Sequence, residues 1–209
     1  MSGVPIPERT TQRIDLKTGF SCNNRCTFCV QGDKRYEYPD KSPDELKRLL
    51  EEGRKDADAV VFTGGEVTIR RDLAELVRHA RDLGYQTIQI QTNGRMLCSM
   101  KFAESLVEAG VTEFSPALHG PDPQTHNTQT QVPKSFEQTV RGIRNVKKLG
   151  LPVLLNSVIT QVNYAQLPKT AQLFLALGVD QFQFAFVHAL GSAGADIENV
   201  MPRFSDVQP

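Results

Sequence analysis

The chain has no surplus of either charge, no long apolar run and few cysteines, and each shortage removes a class of function. Its 209 residues carry 24 Lys plus Arg against 24 Asp plus Glu. Proteins that neutralise many phosphates show a basic excess, so nucleic acid is a poor fit as a partner. The longest apolar stretches, such as Leu173 to Leu177, fall far short of the ~20 residues that cross a bilayer, and no membrane span is expected. The opening MSGVPIPERTTQ lacks the charged start, apolar centre and small-residue cleavage site of a secretory signal, which points to the cytoplasm. Four cysteines allow at most two disulfides, yet Cys22, Cys26 and Cys29 crowd into eight residues while Cys98 stands apart. That clustering suits a metal centre in a reducing compartment better than a disulfide framework.

What remains is ordinary globular material, 39% hydrophobic and 23% charged, with no linker, repeat or low-complexity tract to divide it. Glycines set a rhythm. Gly53, Gly84, Gly110, Gly150 and Gly178 each end a helix-like stretch and precede an apolar run: DAVVF, YQTIQIQ, VTEFSPAL, LPVLLNSVI and VDQFQFAFV. With RIDLKTGF at the start this gives six strands. Five helices separate them, with start signals at Ser42-Pro43 and Glu45, at Asp72 and Glu75, and at Ser135 and Gln138. Strict alternation of strand and helix is the signature of parallel βαβ units, so the fold class is α/β.

Buried parallel strands are usually apolar throughout, but QTIQIQ and DQFQFAF alternate apolar residues with glutamines. Ile88, Ile90, Phe182, Phe184 and Phe186 are expected to face helices. Gln89, Gln91 and Gln183 then turn into the lumen of an open barrel able to hold a polar ligand; the plainer alternative is that they satisfy one another. The longest irregular stretch is the loop HGPDPQTHNTQTQVPK, residues 119 to 134, on the carboxyl edge where binding sites of such folds lie. Pro116 removes a backbone donor within the fourth strand, which puts its regular pairing in doubt.

The cysteines follow the first strand, at the carboxyl mouth of the barrel. Thiolates select soft metals, and four would close a zinc site or occupy every iron of a four-iron cluster. Three leave one position open. Cys98 lies among ordinary helix residues and reads as a small buried hydrophobe.

The spacing Cys22-Asn-Asn-Arg-Cys26-Thr-Phe28-Cys29 resembles that of the radical S-adenosylmethionine (SAM) enzymes. The likeness continues through Gly64-Gly65-Glu66, QTNGR, HGPDPQTHN, SFEQTVRGI and LNSVITQVN, over roughly residues 14 to 209. It is strongest with the branch that contains the molybdenum-cofactor radical enzyme, the sulfatase maturases and the peptide-modifying radical enzymes. The resemblance implies a partial (β/α)6 parallel barrel over 14–209 behind an N-terminal extension, 1–13, with the last helix missing or truncated. It implies a [4Fe-4S] cluster on Cys22, Cys26 and Cys29, with SAM chelated to the fourth iron. It further implies an electron donor such as flavodoxin or ferredoxin, and a peptide or small-molecule substrate losing hydrogen to a 5′-deoxyadenosyl radical.

The residue types suit that chemistry. Gly64 and Gly65 allow close backbone approach, and Glu66 can accept hydrogen bonds from the cofactor's ammonium group; a strand-to-helix turn with a solvated acid is the bland alternative. By the same resemblance Phe28 lines the adenine side, Asn156 faces the lumen and His188 offers a backbone contact to adenine, though each has an ordinary packing or loop role available. Relatives end the fourth strand with a serine where this chain has Ala117; Ser115, on the same face of the strand, is positioned to compensate. No role is assigned to His119 or His126. The exposed edge of the sixth strand calls for a C-terminal partner or a second copy. The competing reading is a non-catalytic iron-sulfur or zinc-binding subunit that keeps the fold.

Overall fold

The computed structural model describes residues 12–207. The expected extension, residues 1–13, lies outside this range except for its last two residues, of which Arg13 opens the first strand.

Among the described residues six parallel strands alternate with helices. In chain order the elements are β1 (Arg13–Lys17), α1 (Lys34–Glu37), α2 (Pro43–Gly53), β2 (Ala59–Thr63), α3 (Leu73–Asp82), β3 (Thr87–Thr92), α4 (Met100–Ala109), β4 (Glu113–Pro116), α5 (Pro123–Thr130), α6 (Ser135–Lys148), β5 (Leu154–Ile159), α7 (Leu167–Ala176), β6 (Gln181–Phe186), α8 (Gly191–Ala195), α9 (Ile197–Val200) and α10 (Phe204–Val207). The expected last helix is thus represented, among the described residues, by three short segments.

The strands pair as a four-stranded sheet β1-β2-β3-β4 and a two-stranded sheet β5-β6. Among the described residues only isolated bridges join the two, Phe114 with Val153 and Ala117 with Asn156. Between them stands Pro116, which has no N–H to give, so the interruption lies where the sequence places it. No pairing links β1 to β6 among the described residues, and the barrel is open there.

The helix-side face carries the core. Val60, Phe62, Ile88, Ile90, Phe114 and Leu155 pack on Leu46, Leu50, Leu76, Leu106, Ile143 and Phe174. Helices α2 and α3 present their apolar residues at helical spacing, Leu46 with Leu50 and Leu73, Leu76, Val77 with Ala80. Coverage thins at β6. Phe182 is 37% exposed and lines the lumen cavity, because α7 supplies only Phe174 as a deep partner for the Phe182–Phe184 pair. The expected packing of Phe182 onto a helix is therefore partial.

On the other face the lumen is polar, as the glutamine alternation implies. A cavity of about 450 Å³ is lined by Arg13, Asp15, Gln89, Gln91, Ser115 and Gln183, with Val61, Leu154, Leu155, Gln181 and Phe182 completing its wall. The glutamines do not pair with one another. Gln89 donates to Glu113 (2.6 Å), Gln91 accepts from Thr63 (2.7 Å) and Gln183 donates to Asn156 (3.3 Å), each reaching across to a neighbouring strand.

Three local expectations need correction. Residues 119 to 134 are not irregular: Asp122 accepts from the Thr125 N–H at 2.8 Å and Pro123 takes the first turn of α5. Ser42 does cap α2, but Asp72 does not cap α3, its carboxylate being drawn to Arg70 at 2.7 and 3.0 Å. Ser135 is the first residue of α6, and Asn127 of α5 caps that helix instead, its Oδ1 accepting from the Phe136 N–H at 2.9 Å. Among the five punctuating glycines, Gly53 is the one that lacks positive φ; a Cβ there would strike Ile14.

Candidate active site

The cysteine loop leaves the carboxyl end of β1 and is held from three directions by backbone bonds. The turn after β2 docks first, with the Gly65 N–H donating to Gly19 O (3.0 Å) and the Glu66 N–H to Ser21 O (2.8 Å). Helix α5 docks second. The N–H groups of Arg25 and Thr27 donate to the carbonyls of Thr130 (3.0 Å) and Gln129 (2.9 Å), which the end of a helix leaves unpaired. From the C-terminal side the Ser192 N–H donates to Cys29 O at 2.9 Å.

Cys22, Cys26 and Cys29 are free and half-buried. Burial pushes the Cys26 thiol up to about 12, with Cys22 and Cys29 adding to the rise and Arg35 and Asn24 opposing it. Burial likewise raises Cys22. Burial disfavours the thiolates of Cys22 and Cys26, and a cation beside them would favour the charged form, which suits the chemistry of a multi-iron cluster. Among the described residues no three His, Cys, Asp or Glu converge tightly enough for a single metal ion. Cluster thiolates each take a separate iron and need no such convergence. The donor set fits a [4Fe-4S] cluster with one iron left open.

The glycine pair has a definite steric cause. Gly64 has φ +142°, and a Cβ on Gly65 would lie 2.2 Å from Ser21 O and 2.4 Å from Phe20 O. What approaches so closely is the chain's own backbone on its way to Cys22. The Gln31 side chain donates to Gly64 O, tying the far end of the cysteine loop to the same turn.

Glu66 is 2% exposed, so the solvated-acid alternative fails. Its Oε1 accepts from Thr68 N (3.0 Å), Thr68 Oγ1 (2.5 Å) and Thr92 Oγ1 (2.6 Å), and its Oε2 accepts from Asn93 N (2.6 Å). The carboxylate braces the turn after β2 against the turn after β3 and keeps capacity on Oε2 alone. Glu66→Ala would strand several buried donors at about 1–3 kcal/mol each. We expect a loss of roughly 3 kcal/mol, which for a chain of this size lowers Tm by about 6–12 °C in calorimetry. An unchanged Tm would leave direct cofactor contact as its main duty.

The other expected residues divide by depth. Ser115 and Asn156 do reach the lumen: Ser115 lines the cavity, and Asn156 accepts from Gln183. Ala117, which carries no hydroxyl, is bridged to Asn156. Phe28 is buried in a small second core with Val187, Ala193 and Val200, one ring edge against His119 at 4.6 Å. His188 is exposed just beyond β6, on the segment whose Ser192 meets Cys29. His119 and His126 are buried, not loop residues. His126 Nδ1 accepts from the His119 N–H (3.0 Å), and His119 Nδ1 from the Val158 N–H (3.1 Å). Burial lowers both pKa values, that of His126 to about 4, so both rings are neutral near pH 7. Cys98 sits in a separate 3-10 turn whose carbonyls are held by Asn145.

The sequence matches the radical SAM superfamily profile over residues 16–174. The chain belongs to the radical SAM superfamily. Its curated relatives include a probable GTP 3′,8-cyclase of Sulfurisphaera tokodaii, 31% identical over 88% of this chain and 58% of that protein. Another of the same description, from Saccharolobus islandicus, is 33% identical over 88% and 59%. The chain therefore spans less than three-fifths of the length of these relatives. Among solved structures, Streptococcus suis SuiB bound to S-adenosylmethionine superposes with TM-score 0.71 at 17% identity, covering 85% of this chain and 41% of that one. The anSMEcpe structure with bound AdoMet and Kp18Cys peptide gives 0.70 at 19%, covering 84% and 51%. These radical SAM likenesses support the parallel partial barrel, and the cofactors of the family are a [4Fe-4S] cluster and SAM. No helix among the described residues is long and apolar enough to cross a membrane.

Motif reading in this radical SAM core passed over the residues that hold the cysteine loop in place: Asn23, Asn24, Arg35, Asn93 and Arg95. The signal was present in the paired asparagines between Cys22 and Cys26 and in the Asn93-Gly94-Arg95 turn that follows β3, whose polar residues had no strand or helix to serve.

Proposed function

We propose that this chain is the catalytic core of a radical SAM enzyme acting on a peptide or small molecule, with Cys22, Cys26 and Cys29 holding the cluster at the carboxyl mouth of the barrel. When bound, cluster and SAM supply a 5′-deoxyadenosyl radical that abstracts hydrogen from a substrate. The chain's own residues bind and orient. Gly64 and Gly65 bring the β2 turn against the cysteine loop, where backbone polar groups and Glu66 Oε2 meet the cofactor's amino group. Phe28 and the backbone at His188 border its adenine. Ser115 and Asn156 face the substrate side.

The observation that carries this reading is the docking of the GGE turn onto the backbone leading to Cys22, because it assembles cluster ligands and cofactor-binding turn as one unit. The lumen favours a substrate rich in amide or hydroxyl groups: Gln89, Gln91 and Gln183 line it, and its Arg13 is paired with Asp15 at 3.2 Å. Proteins of this fold bind peptides in SuiB with its precursor peptide SuiA and in anSMEcpe with Kp18Cys, which supports a peptide, while the probable GTP cyclases support a small molecule. Reduction falls to a small donor such as flavodoxin or ferredoxin in the cytoplasm. The test is an anaerobic assay after reconstitution with iron and sulfide: 5′-deoxyadenosine is expected, formed slowly without substrate. Tight zinc binding without sulfide, and no deoxyadenosine, would favour the non-catalytic subunit.

A further inference from the structure

The backbone from Thr18 to Ser21 joins β1 to the first cysteine, and it is held by a side chain that no motif singles out. Asp40, on the approach to α2, accepts at Oδ1 from the Phe20 N–H (2.7 Å) and from the Ser21 N–H (3.0 Å). A carboxylate on backbone N–H groups makes bonds shorter and stronger than neutral ones. Gly19 leaves room for it, since a Cβ there would overlap the Asp40 carboxylate. The Lys41 N–H donates to Thr18 O at 3.1 Å, and Arg70, just beyond the β2 turn, donates to Thr18 O and Lys41 O at 3.2 Å each.

Each peptide unit is planar, and in its trans form the N–H and C=O point to opposite sides. The unit joining Gly19 to Phe20 therefore has Asp40 at its N–H end and Gly65 at its carbonyl end, where the Gly65 N–H donates at 3.0 Å. The next unit gives its Ser21 N–H to Asp40 and turns its carbonyl, Phe20 O, toward Gly65, where it would block a Cβ. Fixing the N–H ends thus aims both carbonyls at the glycine turn.

We infer that Asp40 is a positioning residue for SAM, setting the place of the Gly64-Gly65-Glu66 turn through the two peptide planes that it holds. The inference rests on the cofactor assignment proposed above. Asp40 lies at the surface, so water can satisfy the amides that its loss would free, and the fold survives. What is lost is the direction of the two planes. The cysteine loop beyond Cys22 is held separately: Arg95 Nη1 donates to Asn23 O (2.6 Å) and Asn24 Oδ1 (3.0 Å), and Arg35 Nη1 to Asn24 O (2.6 Å). Cluster retention and cofactor affinity should accordingly separate.

Calorimetric titration of the anaerobically reconstituted protein with SAM, beside iron analysis, tests this in Asp40→Ala and Asp40→Asn. Asp40→Ala removes the acceptor; Asp40→Asn keeps an oxygen in its place and loses only the charge. Both variants are expected to hold about four irons. SAM affinity should fall about tenfold in Asp40→Ala and stay within about threefold of wild type in Asp40→Asn, a neutral acceptor keeping roughly half the strength of a charged one. Wild-type affinity in Asp40→Ala overturns the inference. So does an Asp40→Asn variant as weak as Asp40→Ala, because a role carried by acceptor geometry is restored by a well-placed oxygen. Loss of iron or of the folded state in Asp40→Ala makes the residue structural and overturns it too. In all these cases the wild-type protein still takes up iron and binds SAM; its failure to do so overturns the cofactor assignment, and this inference with it.

Discussion

Cys26→Ala is expected to reduce bound iron after anaerobic reconstitution from about four per chain to less than about one, with the fold intact. Cys26 is the middle one of the three proposed ligands, and burial pushes its thiol up to about 12, so a cation beside it favours the thiolate. Two remaining thiolates cannot hold a cube of four irons against loss to solvent. The fold should survive because the loop is fixed by its backbone and by Arg95 and Arg35, not by the sulfur of Cys26. Iron and sulfide analysis with the charge-transfer absorbance reads the first part and calorimetry the second. Cys98→Ala is the control and should retain the full complement, its turn being tied to α6. Iron lost from Cys98→Ala but kept in Cys26→Ala would overturn the assignment.

Gly65→Ala is expected to be severely damaging for the addition of one methyl group. The added carbon would lie 2.2 and 2.4 Å from two backbone oxygens, distances that no rotamer change relieves because neither atom belongs to a side chain. Either the turn after β2 or the segment Phe20–Ser21 must shift, breaking the bonds from Gly65 N to Gly19 O and from Glu66 N to Ser21 O. We expect a loss of about 3 kcal/mol or more, a Tm lower by about 6–12 °C, and weakened SAM binding in whatever folded protein remains. Gly150→Ala is the comparison. Gly150 has φ +76° and nothing within 4 Å of its added Cβ, so that substitution carries only the roughly 1–2 kcal/mol of a left-handed alanine. Equal stability of the two variants would mean that the turn is soft and the close approach dispensable.

Much of this arrangement is legible from the chain. The six strands follow from glycine punctuation and alternation, because those signals act over a few residues and the sheet merely repeats them. The break at Pro116 is legible for the same reason, a missing donor being a property of one residue. Helix α5 escapes because its buried residues, Thr125, His126, Gln129 and Thr130, are polar and show no apolar stripe; only Asp122-Pro123 announces it. The site divides along the same line. Cysteine spacing and GGE are local patterns, whereas the clamp from Arg95 to Asn23 spans 72 residues and exists only once β1 and β3 lie in one sheet. The bracing role of Glu66 is hidden likewise, since Thr92 and Asn93 meet it across the sheet.

The two α5 carbonyls that receive Arg25 and Thr27 bear on how such a protein is maintained. In small zinc domains the ligands come together only as the chain folds, so metal affinity and folding are one equilibrium, and a chelator unfolds the protein. Here the loop between the cysteines is already anchored to a helix end and to the β2 turn by ordinary amide bonds. Loss of the inorganic core, as by oxygen, would thus leave a standing receptacle instead of a denatured chain. Repair then becomes a matter of returning iron and sulfide to a surface that has kept its shape.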